Sequence, residues 1–207
     1  MDNYILGIND GHNATACLLK NGEIIACISE ERLNRVKNFF GIPIESIKYC
    51  LDYAKIKGNQ LDLVVLSSFI TPPLKVEDGA IRQENRHDKT EFTWFSLLSK
   101  IRNVIKKWKW LDVYLYNNFS RMFSENNYKK RVEIFSNLLK INKNKIIFCE
   151  HHLSHIYSGL YGSDFHKKNK CLILTVDGEG DGISATINVY NKGIIRTNVK
   201  SVDQVKT

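Results

Sequence analysis

Short apolar runs alternate with polar stretches at the start of the chain, and this pattern predicts three β-strands within the first thirty residues. We place these strands at residues 4–8, 14–19 and 23–28. Between the second and third lies Asn21-Gly22, a dipeptide typical of tight hairpins because both residues tolerate a positive φ. The pattern therefore predicts antiparallel neighbours joined by a short turn.

Helical spacing of apolar residues begins at Pro43, a residue that suits the first turn of a helix. Residues 43–54 carry apolar side chains three and four positions apart, which indicates an amphipathic helix. The continuous apolar run at 61–66 predicts a buried strand. A helix packed on a sheet is the expected result.

The middle of the chain has a different pattern. Residues 77–91 are polar and predict a loop, whereas residues 94–108 have the spacing of an amphipathic helix. A further helix is predicted over 128–141, with four apolar residues on one side: Val132, Phe135, Leu138 and Leu139. We interpret residues 71 to about 144 as a helical insertion.

The last part of the chain predicts a strand at 145–149, a helix at 151–161 and a strand at 171–176. From that strand onward the opening pattern returns: a glycine-containing loop, a second strand at 183–190, an asparagine-containing hairpin and a third strand at 194–199. The two series of strands are therefore an internal repeat.

A duplicated start of this kind is the layout of the actin-like ATPase fold, in which two ribonuclease-H-like units face each other across a nucleotide. We therefore predict an α/β fold with a first unit at 1–168 and an incomplete start of a second unit at 169–207. Because an open three-stranded tail cannot bury both of its faces, we expect the chain to be part of a longer protein.

Composition places the chain among ordinary globular proteins, since 43% of residues are hydrophobic and 25% are charged. No apolar run is long enough for a transmembrane helix and the N-terminus lacks signal-peptide features, so we expect a cytoplasmic protein that does not enter membranes. The five cysteines include no Cys-x-x-Cys pair, which disfavours a disulfide framework or a cysteine zinc site.

Positive charge is concentrated in the middle of the chain. Residues 75–145 contain 16 of the 30 Lys and Arg residues but only 8 of the 22 Asp and Glu residues. We interpret this segment as a solvated helical surface, with an anionic partner as the alternative. Nucleic acid is not the partner that we expect.

Three of the six histidines lie within five positions, at His151, His152 and His155. On a helix, residues four apart share a face, so His151 and His155 could bind one metal ion. A zinc protease of the His-Glu-x-x-His type is disfavoured because His152 occupies the position of the catalytic glutamate. Asp177, at the end of a predicted strand, is a natural third ligand. Two imidazoles and a carboxylate suit Fe(II), Mn(II) or Zn(II) better than Mg(II).

Two further groups of residues suggest contacts with a substrate. His12 lies in a loop between two predicted strands, where an imidazole could transfer a proton or contact a phosphate oxygen. Arg35 and Lys37 could bind an anion. For each group, a purely structural role in a turn is the alternative interpretation.

The glycine-rich sequence around Gly178 and Gly180 is followed by a predicted strand rather than a helix, which disfavours a dinucleotide-binding site of the Rossmann type. In the actin-like layout, the corresponding loop supplies backbone N–H groups to nucleotide phosphates. We therefore predict that Gly178 and Gly180 belong to a phosphate loop for ATP.

Taken in order, these sequence motifs resemble the N-terminal part of the nodulation-type O-carbamoyltransferase family, and more loosely the universal tRNA threonylcarbamoyl transferases. The matching segments are Leu6 to Ala16, Glu30 to Lys37, Pro43 to Leu51, His151 to His155 and Val176 to Gly178. Two departures are Asn13, where many relatives have Asp, and Asn38, where His is common.

The resemblance implies that carbamoyl phosphate is cleaved, its carbamoyl group is joined to AMP from ATP, and the group then passes to a small-molecule hydroxyl acceptor. His151, His155 and Asp177 would bind the metal, Fe(II) first, while His12 would act at the carbamoyl phosphate site with Arg35 or Lys37. Family members carry a further metal-binding Asp and most adenosine contacts in their second half. We therefore expect the chain alone to be inactive, and a homodimer is a further expectation.

Two other functions stay open at this point. A tRNA threonylcarbamoyl transferase relative is favoured slightly by the basic segment, but the Glu30 to Lys37 motif favours the first assignment. The incomplete second repeat is also compatible with a non-catalytic module that binds a nucleotide or a metal.

Overall fold

A computed structural model describes residues 2–69, 74–77, 80–83 and 127–201. Its ten strands form a five-stranded sheet, a three-stranded sheet and a two-stranded hairpin. The strands are β1 (Tyr4–Asn9), β2 (Thr15–Lys20), β3 (Glu23–Ser29), β4 (Leu63–Leu66), β5 (Leu74–Glu77), β6 (Ala80–Gln83), β7 (Ile146–Phe148), β8 (Lys170–Gly180), β9 (Ile183–Asn191) and β10 (Ile194–Ser201). The α-helices are α1 (Glu30–Asn34), α2 (Ile44–Ala54), α3 (127–139) and α4 (His151–Tyr161).

The five-stranded sheet has the order β3-β2-β1-β4-β7. Strands β1, β2 and β3 form an antiparallel meander, whereas β4 and β7 run parallel to β1. The carboxyl ends of the three parallel strands therefore meet at one edge of the sheet. Ligand sites in open α/β sheets are typically found at such an edge.

The turn between β2 and β3 confirms the hairpin that was predicted from Asn21-Gly22. Both residues have positive φ, 53° for Asn21 and 86° for Gly22. These values suit a type I′ turn, whose twist matches that of the strands on either side.

The hydrophobic core lies on one face of this sheet, under α2 and α3. Its fully buried members include Leu6 and Leu18 from the sheet, Cys50 from α2 and Phe135 from α3. Glu30 fixes the start of α2, because its buried carboxylate accepts hydrogen bonds from the backbone N–H groups of Glu45 and Ser46 at 3.1 and 2.7 Å. The first Glu of the Glu-Glu-Arg motif is therefore a helix cap.

The three-stranded sheet packs its polar face against α4. Thr175, Thr186 and Asn188 are buried on that side, whereas Leu172 and Leu174 on the opposite side are 71% and 64% exposed. The buried face of this sheet therefore carries polar side chains, and two hydrogen bonds from His152 join it to α4.

Most of the predicted elements are confirmed, with ends shifted by a few residues. The helix predicted at 151–161 is α4, and β8 extends to Gly180 rather than ending at residue 176. The helix predicted at 94–108 lies outside the described residues. The α/β class is confirmed, while the actin-like arrangement and the division at 168/169 stay predictions. Within the described ranges, no helix has the length and apolar character needed to cross a membrane.

One local prediction is wrong. Part of the loop predicted at 77–91 forms strand, since β5 and β6 pair as an antiparallel hairpin. Polar composition alone does not exclude a strand, because a paired hairpin satisfies its own backbone groups. On α3, Leu138 is 41% exposed although it lies on the predicted apolar side. The buried side of α3 instead runs through Arg131, Phe135 and Leu139, at steps of four residues.

Candidate metal centre

Helix α4 begins at His151 because Glu150 caps it. The Glu150 carboxylate accepts hydrogen bonds from the N–H groups of His152 and Leu153 at 2.9 and 3.0 Å. These are two of the N–H groups that have no partner within a helix. A negative side chain at this end also interacts favourably with the helix dipole. The cap therefore fixes the position of the histidines in the first turn.

The histidines of α4 lie on two neighbouring faces. His152, Ile156 and Leu160 are buried at steps of four residues and hold the helix against the body of the protein. His151 and His155 each precede one of these buried residues by one position, and His151 is half-buried whereas His155 is exposed. One face of the helix therefore serves packing, and the other presents imidazoles.

His152 is a structural residue. Its Nε2–H donates to the backbone carbonyl of Ile183 at 2.8 Å, and its Nδ1 lies 2.8 Å from the hydroxyl of Thr175. Because a carbonyl oxygen can only accept a hydrogen bond, Nε2 must carry a hydrogen. In the neutral ring, Nδ1 is then the acceptor for the hydroxyl of Thr175. Both ring nitrogens are engaged with the three-stranded sheet, so His152 does not belong to the cluster that could hold a metal ion.

The imidazoles of His151 and His155 converge on the carboxylate of Asp177. The Oδ2 atom of Asp177 lies 2.7 Å from His151 Nε2 and 3.4 Å from His155 Nε2, and the two Nε2 atoms are 3.0 Å apart. With metal–ligand bonds of about 2.0–2.2 Å, adjacent ligand atoms of a tetrahedron or octahedron are about 2.8–3.6 Å apart. Two sides of the triangle lie within this range and the third, at 2.7 Å, lies just below it, so the triangle has about the size of one face of such a polyhedron.

An irregularity in β8 places Asp177 beside the helix. The pairing of β8 with β9 is interrupted between Val176 and Gly180, so that three residues of β8 lie opposite a single residue of β9. Such bulges bend a strand and re-aim its side chains. Asp177 is the first residue of the interruption, and the N–H of Gly178 donates to its Oδ1 at 2.6 Å. Asp177 thus presents its other oxygen to the histidines.

Gly180 is required for the close packing of the His151 ring. A Cβ atom at position 180 would overlap the ring of His151, whereas a Cβ at Gly178 would meet nothing within 4 Å. The two glycines predicted for a phosphate loop therefore differ in their surroundings. Their contact with phosphate and their role in ATP binding stay predictions.

The electrostatics of the triangle favour the ionised carboxylate. Partial burial alone would raise the pKa of Asp177, but the hydrogen bonds from His151 and Gly178 and the charge of the two histidines outweigh it, and the pKa lies below its ordinary value. An ionised carboxylate with neutral imidazoles is the form in which these side chains bind a metal.

The loop that follows β1 is held by a buried ion pair. The carboxylate of Asp10 accepts two hydrogen bonds from the guanidinium of Arg131, from Nε at 2.7 Å and from Nη2 at 2.6 Å. Arg131 also donates to the backbone carbonyls of Ser68 and Phe69, which follow β4, at 2.8 and 3.3 Å. Its guanidinium lies 4.7 Å from the ring centre of Phe148 at the end of β7. One arginine therefore ties together the carboxyl ends of the three parallel strands.

The structure brings His12 next to the segment that follows Arg35 and Lys37. His12 pairs with Phe40 in an isolated β-bridge, and the N–H of Ala14 donates to the carbonyl of Phe39 at 3.1 Å. Arg35 and Lys37 themselves are exposed. Main-chain contacts thus join the loop of His12 to the segment that follows Arg35 and Lys37.

Sequence reasoning missed three residues at this edge of the sheet: Asp10, Arg131 and Asp181. Arg131 had a detectable signal, because it lies four residues before Phe135 and eight before Leu139 on the buried stripe of α3. Asp10 and Asp181 lie in glycine-containing loops. Their partners are distant in the sequence, and no local pattern identifies them.

The donor atoms of the triangle are of the kind that could hold a divalent transition metal. The described residues contain a single group of three His, Cys, Asp or Glu side chains with suitable spacing, and that group is His151, His155 and Asp177. Two nitrogen ligands and one oxygen ligand suit Fe(II), Mn(II) or Zn(II). Three protein ligands would leave positions open for a substrate.

Comparisons with known proteins extend over almost the whole chain. The chain is 31% identical to the uncharacterised protein MJ1051 of Methanocaldococcus jannaschii over 188 residues, which are 91% of this chain and 25% of that protein. It is 27% identical to the nodulation protein NolNO of Sinorhizobium fredii, over 86% of this chain and 21% of that protein. The uncharacterised protein sll1178 of Synechocystis is also 27% identical, over 89% of this chain and 27% of its own length.

The chain thus spans about a quarter of the length of these relatives. The similarity to a nodulation protein agrees with the resemblance noted from the sequence motifs. Residues 4–203 match the family described as Carbamoyltransferase N-terminus, and the chain belongs to that family.

Proposed function

We propose that the chain forms the metal-holding part of an ATP-dependent carbamoyltransferase that uses carbamoyl phosphate as donor, a carbamoyl-adenylate as intermediate and a small-molecule hydroxyl as acceptor. One observation carries this proposal: His151, His155 and Asp177 converge within a chain of the carbamoyltransferase family. Their three mutual distances of 2.7, 3.0 and 3.4 Å suit ligands of one ion.

The proposed cofactor is Fe(II), with Mn(II) and Zn(II) as alternatives, because imidazole ligands favour these ions over Mg(II). A divalent ion at this site would supply Lewis-acid polarisation of a phosphate or carbamoyl oxygen. The three side chains provide the negative charge and the two neutral nitrogens that hold it. His152 orients the helix that carries two of them, through its bonds to Thr175 and Ile183.

For the donor substrate, we assign carbamoyl phosphate to the surface between the loop of His12 and the segment of Arg35 and Lys37. His12 would hold or transfer a proton at a phosphate oxygen, and the two cations would offset its negative charge. The main-chain bonds at Phe39 and Phe40 support this assignment, because they fix both segments to each other.

For the nucleotide, we assign phosphate binding to backbone N–H groups of the loop with Gly178 and Gly180. The proposal of an actin-like arrangement is supported by the two antiparallel meanders, β1-β2-β3 and β8-β9-β10, which repeat one topology. In such an arrangement ATP lies between the two units, near the triangle.

Metal titration tests whether the triangle of His151, His155 and Asp177 binds a metal ion. Calorimetry measures the binding of Mn(II), Zn(II) and, under anaerobic conditions, Fe(II) to the chain and to its His151→Ala/His155→Ala variant. We expect one site in the parent and a loss of at least about 100-fold in affinity in the variant, because two of three ligands are removed. His166→Ala is the matched control, since the imidazole of His166 lies beside the carbonyls of Leu160 and Ser163 and the ring of Tyr161 and does not belong to the triangle. Equal affinities in all three proteins would refute the proposal.

Turnover tests the reaction itself. We expect this chain alone to show no ATP-dependent consumption of carbamoyl phosphate, whereas a relative of full length with the same triangle should consume both. Loss of that activity on replacement of the residues that correspond to His151 and His155 would support the proposed function. Unchanged activity in that variant would contradict it.

A further inference from the structure

Asp181 lies in the turn between β8 and β9 and accepts hydrogen bonds from two separate parts of the described chain. Its Oδ2 atom accepts from the N–H of His151 at 2.8 Å and from the N–H of Phe69 at 3.0 Å. Its Oδ1 atom accepts from the hydroxyl of Ser68 at 2.8 Å. One carboxylate therefore joins the first residue of α4 to the carboxyl end of β4.

These bonds complete the capping of α4. Glu150 accepts from the second and third N–H groups of the helix, and Asp181 accepts from the first, which belongs to His151. Two carboxylates at a helix N-terminus also interact favourably with its dipole. The backbone of His151 is thus fixed by a side chain from the other sheet.

The short segment from Asp177 to Asp181 contacts His151 in three ways. Asp177 approaches the ring at Nε2, Gly180 lies against the ring, and Asp181 binds the backbone N–H. The same segment therefore supplies one ligand of the triangle and determines where another ligand stands. Any displacement of the turn changes the distance between them.

We propose that Asp181 is the positioning residue of the metal centre: by holding the β8–β9 turn to α4 and to Ser68–Phe69, it sets the separation between the Asp177 carboxylate and the two imidazoles. This inference rests on the proposed function, since it assumes that the triangle binds a metal ion. Asp181 lies outside the group of donor atoms that converge in the triangle, and its oxygens instead accept from two N–H groups and a hydroxyl.

The geometry allows a conservative replacement that separates positioning from ligation. In Asp181→Asn, one amide oxygen can still accept from both N–H groups, and the amide nitrogen can donate to the hydroxyl of Ser68, which also accepts. Asparagine therefore preserves all three contacts, whereas Asp181→Ala removes them. If Asp181 were a metal ligand, Asp181→Asn would also lose metal affinity, because an amide is a weak substitute for a carboxylate.

The test is titration of Co(II) into the full chain and its variants, followed by calorimetry and by the visible absorption spectrum of the bound ion. We expect Asp181→Asn to bind within about threefold of the parent with an unchanged spectrum, and Asp181→Ala to bind about 10–100-fold more weakly with an altered spectrum, as for other residues that support metal ligands. Asp164→Ala, which removes an exposed carboxylate that pairs with Lys167, is the control and should bind as the parent does.

Three results would overturn the inference. Equal weakening in Asp181→Asn and Asp181→Ala would make Asp181 a ligand, whereas equal binding in Asp181→Ala and the parent would leave it a role in folding alone. If Asp181→Ala does not fold, as judged by circular dichroism, Ser68→Ala removes one of the three contacts, and unchanged affinity and spectrum in that variant would also contradict the proposal. A parent chain that binds no Co(II), Fe(II), Mn(II) or Zn(II) would instead refute the proposed function.

Discussion

Arg131 and Asp10 form a fully buried, two-point ion pair between helix α3 and the loop after β1, with side-chain exposures of 0% and 1%. The pair is neutral as a unit, and a third nitrogen of the guanidinium, Nη1, donates to the carbonyls of Ser68 and Phe69 after β4. A buried pair of this kind is costly to break, because each partner alone is a desolvated charge.

Replacing Arg131 by Met should therefore lower the free energy of unfolding by about 3–5 kcal/mol, the usual range for a buried ion pair that loses one partner. The measurement is urea denaturation followed by circular dichroism. Lys130→Met, on the exposed side of the same helix, should change stability by less than about 0.5 kcal/mol. In Asp10→Asn/Arg131→Met the two losses should not add, because the second replacement removes a charge that has already lost its partner. Additive losses would contradict the pairing.

Gly180 and Gly178 offer a second matched pair. Gly180→Ala places a methyl group where the ring of His151 lies, whereas Gly178→Ala extends into open space. We expect Gly180→Ala to weaken Zn(II) or Co(II) binding at least about tenfold, because the ring must move away from Asp177. Gly178→Ala should bind metal as the parent does.

The same pair also separates the metal centre from the proposed phosphate loop. If Gly178 approaches a phosphate closely, Gly178→Ala should weaken ATP binding while leaving metal affinity unchanged. Equal metal affinities in Gly180→Ala and Gly178→Ala would contradict this prediction, because they would mean that the ring of His151 can move away from residue 180 and still bind the metal.

His152 and His155 are neighbours in the sequence motif with opposite expected roles. His152 is fully buried and bonded at both ring nitrogens, so His152→Ala leaves a cavity and two polar groups without their partner. We expect a loss of about 2–4 kcal/mol in the free energy of unfolding. His155 is 54% exposed, so His155→Ala should cost less than about 0.5 kcal/mol in the absence of metal.

The stabilisation gained from a bound metal should depend on His155 rather than on His152. Added Zn(II) should raise the melting temperature of the parent and of His152→Ala, because an ion that binds only the folded state stabilises it. In His155→Ala the increase should be much smaller. A similar increase in both variants would show that His155 is not a ligand.

The sequence predicts much of the fold because many of its determinants are local. Asn21-Gly22 specifies its own hairpin, and the apolar spacing of residues 43–54 coincides with α2 apart from its first residue. The pair His151 and His155 could be predicted for the same reason, since a spacing of four residues on a helix needs no knowledge of the rest of the chain.

Other features depend on contacts between distant residues. Arg131 lies 121 positions from Asp10, and Asp181 lies 112 positions from Phe69. A charged residue on a helix is usually solvated, so the charge of Arg131 outweighs the helical spacing that places it on the stripe of Phe135 and Leu139. Asp177 was predicted as a ligand from its place at a strand end, but the interruption of β8 that aims it depends on pairing with β9.

Arg35 and Lys37 provide the test of the proposed site for carbamoyl phosphate. Both side chains are exposed and lie just before the segment that pairs with the His12 loop. Arg35→Ala/Lys37→Ala should weaken binding of carbamoyl phosphate to the metal-loaded chain by about tenfold or more, because a hydrogen bond to a charged group contributes about 1.5–3 kcal/mol. The weakening should decrease at high ionic strength, since exposed charges are screened by salt. Arg32→Ala, which removes a neighbouring exposed cation beside Glu31, is the matched control and should bind as the parent does. Equal weakening in Arg32→Ala would indicate a general effect of surface charge and would remove the assignment of Arg35 and Lys37.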